Sequence, residues 1–294
     1  MKQILITGAN GNLGGCLVRE LADYSEYGVI AVANSKEKIY EMLERESIEN
    51  KHRVIAWNQD DFFNSADCKI FAAVHMAFSR SNRPNEDIAF SLDYALRAYD
   101  KLRELKVQKV AYLSSQSVYG ATSEWRKENC KPAPDSVYSM AKYAGEKLLE
   151  AAGFSEYSTL RLDYVIQSQR LVPTLCRNAR EKKVIQLNGG KQTFSYLDRT
   201  DAAKAVVALL NSNNPWKPVY NVGPNMMRYS LMDIAEVVKS VSEKHGVEGV
   251  TIELEKNDTE LWSGMDSMLF INDTGWSPSL DIYQMVEGIY EEVF

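Results

Sequence analysis

The sequence predicts an α/β fold, a Rossmann-type doubly wound parallel sheet with a smaller C-terminal α/β lobe. Apolar runs of strand length recur at residues 4–6, 29–33, 54–57, 70–75, 110–113 and 159–162. Segments with helical spacing separate most of them, as in Leu13, Leu17 and Leu21, and then Ala95, Leu102 and Leu105. Strands that alternate with helices specify a parallel sheet covered on both faces.

The chain has 294 residues, 45% of them apolar, a size between one large domain and two modest ones. The regular alternation spans residues 1–165, read as the main domain, and residues 166–294 form the lobe. There the pattern loosens, with Pro173, an Asn188-Gly189-Gly190 turn, a loop at 211–218 and the stretch Gly275-Trp276-Ser277-Pro278. A helix begins at Ser230, where Ser-Leu-Met-Asp has capping-box form ahead of an apolar run. Residues 195–222, with helical spacing at 200–210, are read as returning to the main domain.

A formal charge of −6 with scattered Lys and Arg offers no basic face to a phosphate backbone, so nucleic acid is not expected as a partner. No apolar run approaches the roughly 20 residues a membrane-spanning helix needs. With a strand directly after Met1 and no cleavable signal ahead of it, the expected setting is the cytoplasm, with no membrane partner. Cys16, Cys68, Cys130 and Cys176 are far apart and lack CxxC or His-paired spacing, which reads as free thiols and no metal site.

Directly after the first strand comes TGANGNLGG (residues 7–15), where Gly8, Gly11 and Gly14 recur at every third position as the chain turns into a helix. Glycine there permits a tight turn, close approach of backbone to a pyrophosphate, and close helix–strand packing. The phosphates would sit at the positive helix N-terminus, near Asn10, Asn12 and Leu13. Placed after an N-terminal strand, the motif points to dinucleotide binding. A carboxylate at the end of the second strand would accept the adenosine ribose hydroxyls; here the stretch is Ala33-Asn34-Ser35-Lys36, with no acid. NAD or NADP is therefore expected, with NADP favoured, although Lys36 also reads as a solvated lysine at a helix start and Asn34 suits either coenzyme.

Tyr138 and Lys142 form a Tyr-x-x-x-Lys pair on one face of a helical segment. A free phenol titrates near about 10 and is a poor base at neutrality unless an adjacent ammonium favours its ionised form. Such a pair is frequent by chance; Ser114-Ser115 at the end of an upstream strand gives it weight.

With these residues assembled, the sequence resembles the extended short-chain dehydrogenase/reductase superfamily, the NAD-dependent epimerases, dehydratases and reductases that often act on sugar nucleotides. The motifs run nearly end to end: TGANGNLG, Val74-His75-Met76-Ala77, LSSQSVYG (113–120), YSMAKYAGE (138–146), LRLDYV (160–165), FSYLDRTDAAKA (194–205), YNVG (220–223) and GWSP (275–278). The resemblance implies that Ser115 hydrogen-bonds the substrate oxygen and that Tyr138 exchanges the proton on it while hydride passes to or from the nicotinamide. It implies that Lys142 holds the nicotinamide ribose and keeps Tyr138 acidic. Met76, Ala77 and Phe78 would border the coenzyme, Asn58 would make a polar adenine contact, and Ser114 and Val165 complete the coenzyme set. His75 reads better as a packing residue than as an acid–base group.

Two departures narrow the chemistry. Family dehydratases place Asp-Glu after the serine or threonine, whereas this chain has Gln116 and Ser117, which disfavours water elimination. Arginines that often face a diphosphate are missing from Gly190-Lys191-Gln192-Thr193 and Leu261-Trp262-Ser263-Gly264; Lys191, Arg177, Arg180 or Arg228 would have to substitute. Arg80, in the polar loop 80–85, is a candidate substrate contact beside Ser115, Gln116, Ser117 and Tyr138, against an equal reading as exposed loop.

The expected function is hydride transfer at a hydroxyl or carbonyl carbon of a sugar nucleotide or similar small polar carbonyl compound. The alternative is a non-catalytic NAD(P)-binding sensor or scaffold of the same fold, which would not need Ser115, Tyr138 and Lys142 together. The resemblance also implies a homodimer, paired through residues 88–105 and 139–151.

Overall fold

In the computed structural model, which describes residues 1–257 and 260–293, each of the six apolar runs falls, wholly or for most of its length, on a strand of one sheet. The order along the chain is β1 (Lys2–Thr7), α1 (Asn12–Asp23), β2 (Tyr27–Val32), α2 (Lys36–Arg45), β3 (Val54–Trp57), α3 (Gln59–Phe63), β4 (Ala72–His75), α4 (Asn85–Glu104), β5 (Lys109–Ser115), α5 (Val137–Ala151) and β6 (Glu156–Leu162). The second half contributes β7 (Tyr164–Val165), α6 (Leu171–Lys182), β8 (Val184–Asn188), β9 (Thr193–Phe194), β10 (Tyr196–Leu197), α7 (Arg199–Asn211), β11 (Val219–Val222), β12 (Tyr229–Ser230), α8 (Leu231–Lys244), β13 (Thr251–Glu255), α9 (Met268–Thr274) and α10 (Ile282–Val293).

The seven-stranded sheet runs β3-β2-β1-β4-β5-β6-β11. Every pairing within it is parallel. Strands covered on both faces must be apolar throughout, and β2 is buried at every position. From β1 the chain builds outward to β3, then returns to lay β4 on the other side of β1. The connections after β1 and β4 leave in opposite directions, which opens a crevice at the carboxyl ends of the strands.

The two faces of the sheet have separate cores. One, with Leu17 and Leu21 of α1 and Val206 of α7, also takes in Phe270 and Trp276 from late in the chain. The small residues Ala202, Ala203 and Ala205 let α7 lie close to α1. The opposite face packs Ala95, Tyr99 and Leu102 of α4 against Tyr112 of β5. A third cluster joins α6, α8 and α10 with Ile185 and Leu187 of β8. The helix starting at Ser230 has the expected cap: Ser230 accepts from the Asp233 amide and Asp233 returns the bond to the Ser230 amide.

Packing at the start of α1 is tight. A Cβ on Gly14 would lie 2.3 Å from the Gly8 carbonyl oxygen and 2.9 Å from that of Ala9, backbone atoms that cannot swing aside. A Cβ on Gly288 of α10 would meet nothing within 4 Å. Gly14→Ala is therefore expected to lose about 1–3 kcal/mol by overpacking. Gly288→Ala is expected to gain about 0.5–1 kcal/mol from lower unfolded-state entropy. Urea melts of the two variants check both signs.

Candidate active site

The crevice at the switch between β1 and β4 has two communicating parts. The wider, 520 Å³, is lined by Gly8, Asn10, Gly11, Asn34, Met76, Ala77 and Phe78 among others. The narrower, 240 Å³, shares Gly8, Gly11, Met76 and Phe78 and adds Asn12, Leu13, Gly14, Ser114, Ser115, Tyr138, Lys142 and Val165. Together they have the size of a small-molecule site, roughly 300–1,000 Å³.

The glycine turn fits a pyrophosphate. Gly8 has φ +72°, and a Cβ there would sit 2.8 Å from the Ala77 amide nitrogen, so the turn is closed to any larger residue. Gly11 caps α1 without a side chain, leaving no side-chain acceptor on the first amides of the helix. That end, facing the crevice, is suited to an anion.

At the far end of the wider part the polar groups bind one another. Gln59 donates to Asn34 Oδ1 at 2.8 Å, and Lys36 pairs with Asp61 at 3.0 Å. Asn58 caps α3, accepting from the Asp61 amide at 2.8 Å, and does not line the crevice; nor do Ser35, the N-cap residue of α2, or Lys36. Asp61, from the start of α3, is the carboxylate that pairs with the lysine following β2, and it lies outside the crevice lining. Sequence reading stopped at Asn58; the Asn-x-x-Asp capping pattern was the available signal.

Ser115, Tyr138 and Lys142 meet in the narrower part. The capping box Ser136/Ser139 starts α5, so Tyr138 and Lys142 lie one turn apart on it. Lys142 Nζ donates to the Leu113 carbonyl at 2.8 Å and lies 4.1 Å from the Phe78 ring centroid, 5.0 Å from Tyr112 and 5.9 Å from Tyr138. The Phe78 ring stands edge-on to Tyr138 at 6.1 Å. Burial pushes the Lys142 ammonium down from 10.5 to about 7, an effect that Glu146 opposes. Burial, with Tyr164 adding to it, pushes the Tyr138 phenol up to about 12. Ser115 Oγ accepts from the Ser117 amide at 3.2 Å, which leaves its own proton to donate.

His75 is fully buried beneath this group; its Nδ1 pairs with Thr7 Oγ1 at 2.8 Å, and burial pushes its pKa down to about 3. It packs and does not titrate near neutrality. Arg80 is exposed and lines the narrower part. Gln116 and Ser117 do not line it: Gln116 Oε1 accepts from the Gly264 amide at 2.7 Å, tying the end of β5 to the second half of the chain. Lys191, Arg177, Arg180 and Arg228 do not line it either. Arg228 donates to the carbonyls of Ser263, Ser123 and Glu124 and stacks 3.7 Å over Trp125, a structural use of its whole guanidinium. Asp163, which the sequence reading held only within the LRLDYV motif, lines the narrower part and accepts from Ser195 Oγ at 2.8 Å, and burial raises its carboxyl to about 8.

The comparisons with known proteins agree with this fold. An uncharacterised UDP-glucose epimerase of Bacillus subtilis is 20% identical over 260 residues, 82% of each chain. The crystal structure of UDP-glucuronic acid 4-epimerase from Bacillus cereus, with UDP-glucuronic acid and NAD, superposes with a TM-score of 0.82 at 22% identity over 99% of this chain and 98% of that one. The dTDP-glucose 4,6-dehydratase of Bacillus anthracis, with NAD, gives 0.80 at 18% identity over 99% and 96%. At these identities the structures share the fold. The model of the NAD-dependent epimerase/dehydratase family matches residues 4–223, from β1 through β11 and so across every strand that shapes the crevice, and the chain belongs to that family.

Proposed function

We propose that the chain is an NAD-dependent epimerase acting at a hydroxyl-bearing carbon of a nucleotide-linked sugar, with Tyr138 as acid–base, Ser115 as its partner on the substrate oxygen and Lys142 as the cation between them and the coenzyme. The observation that carries this reading is that the three side chains line one part of a crevice whose other part is built on the glycine turn. A relative that binds UDP-glucuronic acid, and others named for UDP- or dTDP-linked sugars, supply the substrate class. When bound, NAD would accept and return a hydride at the sugar carbon. Tyr138 would take the hydroxyl proton as that carbon is oxidised and give it back on reduction. Ser115 would hold the same oxygen by donating its hydroxyl proton. Lys142, while charged, favours the phenolate, lowering Tyr138 from its buried value toward the working range. Elimination of water is disfavoured because Gln116 is engaged with Gly264 and no carboxylate follows Ser115. Arg80 is the cation we assign to the substrate, on its place in the narrower part.

Pairing of Lys36 with Asp61 moves the coenzyme reading from NADP toward NAD, since a 2′-phosphate would have to compete with a carboxylate 3.0 Å from that ammonium. An epimerase that keeps NAD through both half-reactions is then favoured over a reductase that releases it. We also place a homodimer interface on α4 and α5, where Phe90 (71% exposed), Leu96 (47%) and Met140 (54%) present apolar surface. All four cysteines are free, which fits a reducing cytoplasm.

Tyr138→Phe is expected to reduce turnover of a UDP- or dTDP-sugar by about 10²–10⁴-fold while leaving NAD affinity unchanged; full activity in this variant would refute the acid–base assignment, and NAD binding without turnover in the wild type would favour the sensor reading. Thermal shift is expected to show a larger rise with NAD than with NADP, and Asp61→Asn to narrow that gap. Sedimentation is expected to give a dimer that Phe90→Asp with Met140→Asp converts to monomer.

A further inference from the structure

Tyr138, Lys142 and Glu146 follow one another at four-residue intervals on α5 and so share a face. That face meets three consecutive residues at the end of β5. The Leu113 carbonyl accepts from Lys142 at 2.8 Å, the Ser114 hydroxyl donates to Glu146 Oε1 at 2.6 Å, and Ser115 lines the crevice with Tyr138. Contact between the two elements is close, because a Cβ on Gly145 would lie 2.6 Å from the Tyr112 hydroxyl. Behind the helix, Arg161 of β6 grips Glu146 in a fork, Nε to Oε1 at 3.0 Å and Nη2 to Oε2 at 2.6 Å. Both side chains are buried, Arg161 4% and Glu146 5% exposed. The Arg161 guanidinium rests 4.6 Å from the Tyr119 ring, whose hydroxyl donates to Asn221 Oδ1 at 2.9 Å.

A buried ion pair is a weak source of stability, because desolvating both charges offsets most of their attraction. Its location supplies another reason for it. We propose that Glu146, clamped by Arg161, is a positioning residue of the active site: it fixes α5 on the end of β5 and supplies a negative charge one helical turn beyond Lys142. The groups that surround Lys142 are His75 from β4, Tyr112 from β5, Phe78 from the loop after β4, and Tyr138 and Glu146 from α5. His75 is neutral near neutrality and both phenols are held un-ionised by burial, so Glu146 is the anion among them. Without it the buried ammonium would lose its proton at lower pH, and Tyr138 would lose the cation that favours its ionised form.

The inference rests on the catalytic reading above for its consequence, but its test does not use turnover. In protein carrying ¹³C-labelled lysine, with the Lys142 signal assigned by its loss in Lys142→Met, the ε-carbon shift follows protonation of that one side chain. The expected wild-type midpoint is about 7. Glu146→Gln keeps the size and the acceptor for Ser114 and removes the charge. The double variant Glu146→Gln with Arg161→Met also removes the unpaired guanidinium, so that a single variant too unstable to study leaves the question answerable. In the single variant the midpoint is expected to fall by about one pH unit or more, and in the double variant by less, because loss of the Arg161 cation offsets part of the change. The basic limb of the kcat profile would move down with it while KM changes little. A midpoint in the double variant equal to that of wild type overturns the proposal, whatever the single variant does. If instead Tyr138→Phe retains turnover and the lysine midpoint still falls, the catalytic reading fails and the coupling of Glu146 to Lys142 stands.

Discussion

The active site depends on a backbone approach that only glycine allows. Gly14 brings the start of α1 against the carbonyls of Gly8 and Ala9, and Gly8 brings the turn after β1 against the backbone of Ala77 after β4. Those contacts hold the first helix and the two central strands in one relation, and the crevice is the space left between them. Because β2 and β4 flank β1 in register, a shift of α1 would carry the glycine turn away from both ends of the crevice.

At the other end of the crevice the protein holds two ionisable groups in conflict with their surroundings. Burial works against the charged form of Lys142 and of Tyr138 alike. If Tyr138 ionises during catalysis as proposed, an ammonium beside a phenolate would be a pair where either charge alone is a penalty. The aromatic rings of Phe78, Tyr112 and Tyr138 around Nζ favour the cation without offering a competing acceptor, which leaves the Leu113 carbonyl as the hydrogen-bond partner given by the structure.

Much of this was legible in the chain. The six apolar runs, the glycine spacing and the Tyr-x-x-x-Lys pair each report a local geometry, and local geometry is what periodicity and turn chemistry encode. The seventh strand was harder to read: Val219–Val222 is a short run in a loop-rich stretch, and only its pairing to β6 makes it part of the sheet. Asp61 and Asp163 were missed because their roles come from distant partners, Lys36 in one case and Ser195 in the other. Arg228 misled in the opposite sense, since nothing near it in sequence reveals that three backbone carbonyls occupy its guanidinium. Asn58, expected at the adenine, lies outside the crevice lining, where its side-chain oxygen accepts from the Asp61 amide to cap α3.

The place of β11 also constrains how the protein is made. On the ribosome, β6 emerges well before the strand that will cover it, and Phe270 and Trp276, which complete one face of the sheet, emerge later still. A nascent chain halted before residue 219 therefore displays an open strand edge and a partly uncovered apolar face. Vectorial folding of the N-terminal half is incomplete by construction, and aggregation or chaperone capture is most favoured during that interval of translation.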